Sequence, residues 1–144
     1  MLKIAILGAT LLTVRLVSSP SPQSSVDEAG VRAALEHYLA GHATGQGDHF
    51  RQGMHQGGTM YWARDGVLAT RSFPDYAAGA SGRPAADEAK RRRRIASVDI
   101  TNDAAIAKVV LEHPGVTLTD YMTLLKVDGK WQIVAKAFTR QPTP

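Results

Sequence analysis

Apolar and polar positions alternate most clearly over residues 119–138, TDYMTLLKVDGKWQIVAKAF. Two alternating runs flank Asp128-Gly129, and Asp-Gly in that setting predicts a two-residue hairpin turn with positive φ at both central positions. The turn sets a register: Val127 opposite Lys130, Leu125 opposite Gln132, Leu124 opposite Ile133, Tyr121 opposite Lys136 and Asp120 opposite Ala137. One face then carries Met122, Leu124, Trp131, Ile133, Ala135 and Ala137, with Asp120 at the end away from the turn. The expected core face thus closes on a single acid. Lys126 and Trp131 would be cross-strand neighbours near the turn, placed for a cation-π contact, and Tyr121 would sit beside Lys136 on the opposite face.

Upstream the period changes from two to 3.6. Ser25-Val26-Asp27-Glu28 has the form of a capping box, and Val31, Ala34, Leu35, Tyr38 and His42 recur on one helical stripe, with Asp27, Arg32 and Glu36 off it. Gly41, Gly45 and Gly47 end that helix, and Asp48 caps a short second one over residues 49–54. After Gly57-Gly58 comes a strand over residues 59–64, a turn at Asp65-Gly66 and a second strand over residues 67–70. Ser72 caps a third helix, with Pro74 in its first turn, Asp75 at the capping-box position and Gly79 at its end. A Gly/Pro loop and a charged stretch over residues 87–94 lead into strands over residues 95–101 and 104–112, turned at Asn102-Asp103; Pro114-Gly115 then leads into the final hairpin. Helices, a small hairpin, a third helix and a four-stranded meander predict an α+β domain, its helices packed on one face of a curved antiparallel sheet.

A chain of 144 residues fits one domain. Its expected bounds are residues 26–141, with a separate segment over 1–25 and a tail over 142–144. The absence of cysteine excludes disulfides and thiolate metal sites. Residues 1–25 read as a secretory signal peptide: Met-Leu-Lys, an apolar run over 4–14 too short to span a bilayer, then Val17-Ser18-Ser19 and a Pro/Ser tract. Arg15, at the end of the apolar run, is unusual for such a segment. The expected location is periplasmic or secreted, or cytoplasmic if the segment is not a signal. Without Lys3 and Arg15 the chain has 15 basic and 13 acidic residues, a net +2, too weak an excess to predict a nucleic-acid partner. Lys90-Arg91-Arg92-Arg93-Arg94 follows Asp87 and Glu88 and reads as a solvated strand entry, with one arginine turned inward toward an acid such as Asp120. Membrane contact is expected only through the N-terminal segment, or weakly through Arg91, Arg92, Arg93 and Arg94.

The order of elements, with residues 31–47 (VRAALEHYLAGHATGQG), 95–109 (IASVDITNDAAIAKV) and above all 119–138, resembles the putative lumazine-binding family within the nuclear transport factor 2-like superfamily. The resemblance spans about residues 26–141. It implies a cone-shaped α+β fold whose sheet wraps around the helices and leaves a pocket at the wide end. The superfamily includes ketosteroid isomerases, scytalone dehydratase, polyketide cyclases and non-catalytic association domains, so function has to be argued from the site.

Asp120 and Tyr38 are the candidate catalytic residues. A carboxylate at an apolar rim is favoured in its protonated form, which suits a general acid or base, and a phenol on the buried stripe can donate to a developing enolate. The plainer readings are an ion pair for Asp120 and packing for Tyr38. Met60, Trp62, Phe73, Tyr76, Met122 and His55 are the candidate ligand-binding residues, because small-molecule pockets are lined by apolar and aromatic surface; the same residues could equally be plain core. The histidines lack a ligand spacing, so no metal is expected, and no cofactor. The leading expectation is an exported domain binding an apolar or heterocyclic small molecule. The alternatives are a cofactor-independent isomerase, dehydratase or cyclase using Asp120, and a non-catalytic dimerisation module. A homodimer is expected through the outer sheet face, with Tyr121, Thr123, Leu125, Val134 and Phe138.

Overall fold

The computed structural model describes residues 22–144. The expected export segment therefore lies mostly outside the described residues. The elements run α1 (Pro22–Thr44), α2 (Gly47–Gly53), β1 (Met54–Arg64), β2 (Val67–Ser72), α3 (Phe73–Ala78), a 3-10 turn (Glu88–Lys90), β3 (Arg92–Thr101), β4 (Ala104–His113), β5 (Val116–Val127) and β6 (Lys130–Pro142). The six strands form one sheet in the order β2-β1-β6-β5-β4-β3. The meander β3 to β6 is antiparallel throughout, as the sequence pattern predicts. β1 lies parallel to β6, which makes the sheet mixed. The fold is α+β, with its helices against the concave face.

Local chemistry accounts for the element ends. Asp65-Gly66 and Asp128-Gly129 both turn with positive φ at each residue, 51° and 78° in the first, 49° and 76° in the second. The Ser72 hydroxyl accepts from the Asp75 amide at 3.1 Å and caps α3. α1 starts at Pro22, three residues before the expected Ser25 cap; proline is well suited to the first helical position, where its missing N–H costs nothing. Asp27, expected off the apolar stripe, is buried. Its carboxylate accepts from Lys126 Nζ at 2.7 Å and Trp131 Nε1 at 3.0 Å on Oδ1, and from Gln23 on Oδ2. This acid bridges Lys126 and Trp131, and ties the start of α1 to the final hairpin.

The decisive departure from the expected register lies in β5–β6. Pairing follows the prediction from Val127↔Lys130 to Leu124↔Ile133, but the next pair is Thr123↔Ala135, so Val134 is an extra residue on β6. Such a bulge swaps the face of every side chain beyond it. Tyr121 therefore faces Ala137 rather than Lys136, and Asp120 faces Phe138 rather than Ala137. Lys136, expected outside beside Tyr121, is buried at 3% exposure, while Ala137 is exposed. Phe138, expected on the outer face, packs against the core. β1 shifts register against the same stretch of β6, between Met54 and Thr59.

The core lies between α1 and the sheet: Val31, Leu35 and Tyr38 from the helix meet Val109, Leu111, Met122, Leu124 and Ile133, each no more than 2% exposed. Phe50 and Phe73 close it from α2 and α3.

Candidate functional site

Three polar side chains meet inside this apolar core. Tyr38 comes from the buried stripe of α1, Asp120 from the inner face of β5, and Lys136 from β6 because the Val134 bulge turns it inward. The Tyr38 hydroxyl donates to Asp120 Oδ2 at 2.5 Å and accepts from Lys136 Nζ at 2.8 Å. The ammonium stands 3.6 Å from the same carboxylate oxygen. Asp120 Oδ1 is buried without a hydrogen-bond partner. Burial pushes the Tyr38 phenol well above its ordinary range, reinforced by neighbouring Tyr76 and Asp120, so Tyr38 is a neutral donor. Burial lowers the Lys136 ammonium, against the opposing pull of Asp120.

Lys136 is also enclosed by aromatic faces. Its Nζ lies 4.7 Å from the Phe138 ring centre, 5.1 Å from Tyr38 and 5.3 Å from Tyr76. Two of those rings, Phe138 and Tyr76, have a second role. Together with Met60, Trp62, Arg64, Arg71 and Arg140 they line an open cleft of 670 Å³. Tyr76 and Arg71 also line an adjoining cleft of 630 Å³ against His42 and Arg91. An aromatic wall therefore separates the open space from the buried charges.

The Tyr76 hydroxyl is hydrogen-bonded to His42 Nε2 at 3.0 Å. Burial, aided by the charges of Lys136 and Arg93, brings the His42 imidazolium down to about 3, so the ring is neutral at neutral pH. Burial and the Asp120 charge raise the Tyr76 phenol. Tyr76 thus lines the open cleft while feeling the field of the inner cluster.

The expected site residues fall into three places. Tyr38 and Asp120 are in direct contact, and Met60, Trp62 and Tyr76 share the cleft beside them. Met122 is buried in the core, as is Phe73, the first residue of α3, at 2% exposure. His55 belongs elsewhere: with Phe73, Phe50, Arg51 and Met54 it lines a separate cleft of 530 Å³, and its Nδ1 accepts from the Gly57 amide at 3.0 Å. The inward arginine of the basic run is Arg93, but it binds Glu88 at 2.7 Å and the His42 carbonyl at 3.2 Å; the cation beside Asp120 is Lys136. The sequence pattern misses Lys136, Phe138, Arg71 and Arg140. One signal for the first two is present: Trp131 and Ile133 set an odd-numbered core phase, whereas the next large apolar residue, Phe138, is even.

A cone of helices on a curved mixed sheet defines a nuclear transport factor 2-like protein. Solved structures share it. A protein of this fold from Shewanella baltica superposes with a TM-score of 0.74 at 22% identity, covering 87% of this chain and 100% of that one. Another from Methylobacillus flagellatus gives 0.69 at 28% identity, covering 81% and 93%. Within that class, the model of the family described as "Putative lumazine-binding" matches residues 26–139, and the chain belongs to that family. Among curated proteins, Aldolase FrzH of Cladobotryum sp is 26% identical over 105 residues, covering 73% of this chain and 84% of the relative.

Proposed function

We propose that the protein binds a small organic molecule in the cleft walled by Met60, Trp62, Tyr76 and Phe138, and that the Tyr38–Asp120–Lys136 cluster behind that wall exchanges protons with it. The observation that carries this reading is the shared wall: Tyr76 and Phe138 line the open cleft on one side and enclose the Lys136 ammonium on the other. A buried carboxylate with one oxygen unpartnered is costly unless something uses it, and a lysine whose charge is disfavoured by burial releases its proton readily. Proton removal beside a carbonyl is the step common to isomerase, dehydratase and cyclase chemistry. The relative named an aldolase supports carbonyl chemistry of the same kind. Access requires Tyr76 or Phe138 to swing aside, since Asp120 itself is fully buried.

Trp62 in the wall makes binding measurable. Titration with flat heterocycles, lumazine among them, and with apolar ketones is expected to change its fluorescence saturably, and Tyr76→Ala to weaken that response. A flat signal across both series would remove the binding reading. For the chemistry, bound ketones in D₂O are expected to exchange α-protons in wild type and not in Asp120→Asn. Equal exchange in both would assign the cluster to structure alone.

Export and self-association belong to the same proposal. The features of residues 1–25 support export, and the intact mass of protein from its own host reads it directly. The exposed side chains of Tyr61, Ile106, Tyr121 and Leu125 support a dimer through the outer sheet face.

A further inference from the structure

Among the described residues, the arginines differ in whether a carboxylate answers them. Arg32, Arg51, Arg91, Arg93 and Arg94 each have a carboxylate within ion-pair distance: Glu28, Asp48, Asp87, Glu88 and Glu112 respectively. Arg64, Arg71, Arg83, Arg92 and Arg140 have none among the described residues, and three of these five, Arg64, Arg71 and Arg140, line the same 670 Å³ cleft. They reach it from three strands, β1, β2 and β6. Each also lies over a different aromatic ring at that site: Arg64 over Trp62 at 5.6 Å, Arg71 over Tyr76 at 5.8 Å and Arg140 over Phe138 at 5.9 Å.

Stacking on a ring occupies the face of a guanidinium and leaves the N–H groups at its edge available, the geometry that grips a carboxylate with two parallel hydrogen bonds. It also limits the rotamers of a long side chain before any ligand arrives, so less ordering is paid for on binding. Arg71 uses one N–H for the Asp75 carbonyl at 2.7 Å, which anchors it further. Of the residues lining the cleft, Asp65 is the single acid against three arginines. Behind the wall the Asp120 charge is answered by Lys136, so the inner cluster does not cancel the excess.

We propose that the ligand of this cleft is an organic anion, an apolar ring system carrying a carboxylate, its ring against Met60, Trp62, Tyr76 and Phe138 and its charge gripped by Arg71 and Arg140 with Arg64 at the rim. The assignment rests on the reading of the cleft as the binding site and names the chemical class that fills it. A carboxylate held at the arginine rim leaves the body of the molecule over the Tyr76–Phe138 wall, the side that faces Lys136.

Matched probes separate this inference from the reading beneath it. Full-length protein is titrated calorimetrically with benzoate, 2-naphthoate and indole-3-carboxylate, and with the three corresponding neutral amides. Acids are expected to bind about tenfold more tightly than their amides, the advantage of a bidentate ion pair with a guanidinium over a contact to a neutral acceptor. Arg140→Gln and Arg71→Gln are expected to erase most of that ratio and leave amide affinity within about twofold, while Arg140→Lys, which keeps the charge but loses the fork, recovers only part. Raising salt should weaken the acids alone. Amides that bind as tightly as acids, or a ratio unchanged in both glutamine variants, would overturn the anion assignment and leave the cleft reading standing. Failure of both series to bind would overturn both. Arg140 is exposed, so its variants are expected to melt as wild type does.

Discussion

Asp120 Oδ2 accepts from the Tyr38 hydroxyl and has the Lys136 ammonium 3.6 Å away, while Oδ1 has no partner among the described residues, so the acid depends on Lys136 for its charge balance. Removing one partner of a buried pair leaves the other charge uncompensated, and this costs more than removing both. Lys136→Met is therefore expected to destabilise the fold by about 3–5 kcal/mol, and the double variant Lys136→Met/Asp120→Asn to recover most of the loss, both read by urea denaturation. A loss below about 1 kcal/mol in the single variant would mean that water already reaches the pair. His42 makes a separate contribution, with a definite sign. Its folded value of about 3 lies below its ordinary 6.5, so between those two pH values the unfolded chain binds a proton that the folded chain does not. Stability is therefore lost as pH falls from 6.5 toward 3, by at most about 1.4 kcal/mol per pH unit from this group, and is unaffected by it above 6.5. Denaturation midpoints measured from pH 7 to pH 4 in wild type and His42→Asn should diverge in slope over that window; parallel profiles would show that His42 does not carry the dependence.

At the scale of the element, the Val134 bulge decides which residues become a site. Without it Lys136 and Phe138 would face outward, and Asp120 would close the core face with no cation beside it. The bulge is held from the side by β1, where Gly58 lies so close that a Cβ would stand 2.7 Å from the Val134 carbonyl oxygen and would also collide with the Phe73 ring. Gly58→Ala is expected to cost about 1–3 kcal/mol, the range for forcing extra volume into a packed region, and to expose the Lys136 amine to acylating reagents as the bulge relaxes. A Gly58→Ala protein with wild-type melting and an unreactive Lys136 would show that the two strands do not hold one another. The turns at Asp65-Gly66 and Asp128-Gly129, the Ser72 cap and the apolar stripe of α1 are legible in the sequence because each depends on residues a few positions apart. The parallel pairing of β1 with β6 is not, since it joins residues 76–79 apart, a separation at which local pattern carries no signal. Tyr38 and Asp120 can be found from stripe and hairpin; Lys136 is hidden by a one-residue slip that reverses every face. Arg71 and Arg140 are hidden for a different reason, because polar positions on strands read as solvent-facing whether or not they ring a cleft.

Across the whole molecule, the two faces of the sheet are put to different uses. The concave face holds the core, the cluster and the cleft, whereas the convex face leaves Tyr61, Ile106, Tyr121 and Leu125 in water at 38–61% exposure. Ile106, Tyr121 and Tyr61 lie around a shallow, largely apolar depression with Ala135 and Ala137 at its base. The Val134 bulge helps make that depression, since it turns two alanines outward where Lys136 and Phe138 would otherwise stand. Lys108 and Asp99 at its edge supply charges of opposite sign, and Lys108 lies 5.8 Å from the Tyr121 ring centre. A second copy turned about a two-fold axis could set its own Ile106 and Tyr121 against the alanine floor, a self-complementary arrangement of the kind that symmetric dimers need. A sheet face left open to water normally alternates apolar with polar more cleanly than this one does. Sedimentation velocity at micromolar concentration is expected to give a dimer for wild type and a monomer for Ile106→Glu, which places a charge at the centre of the contact while keeping the β4 ladder intact. Because the cleft opens on the other side of the sheet, the monomeric variant should keep the Trp62 fluorescence response to ligand. A wild-type monomer, or a dimer that survives Ile106→Glu, would remove the convex face as the interface.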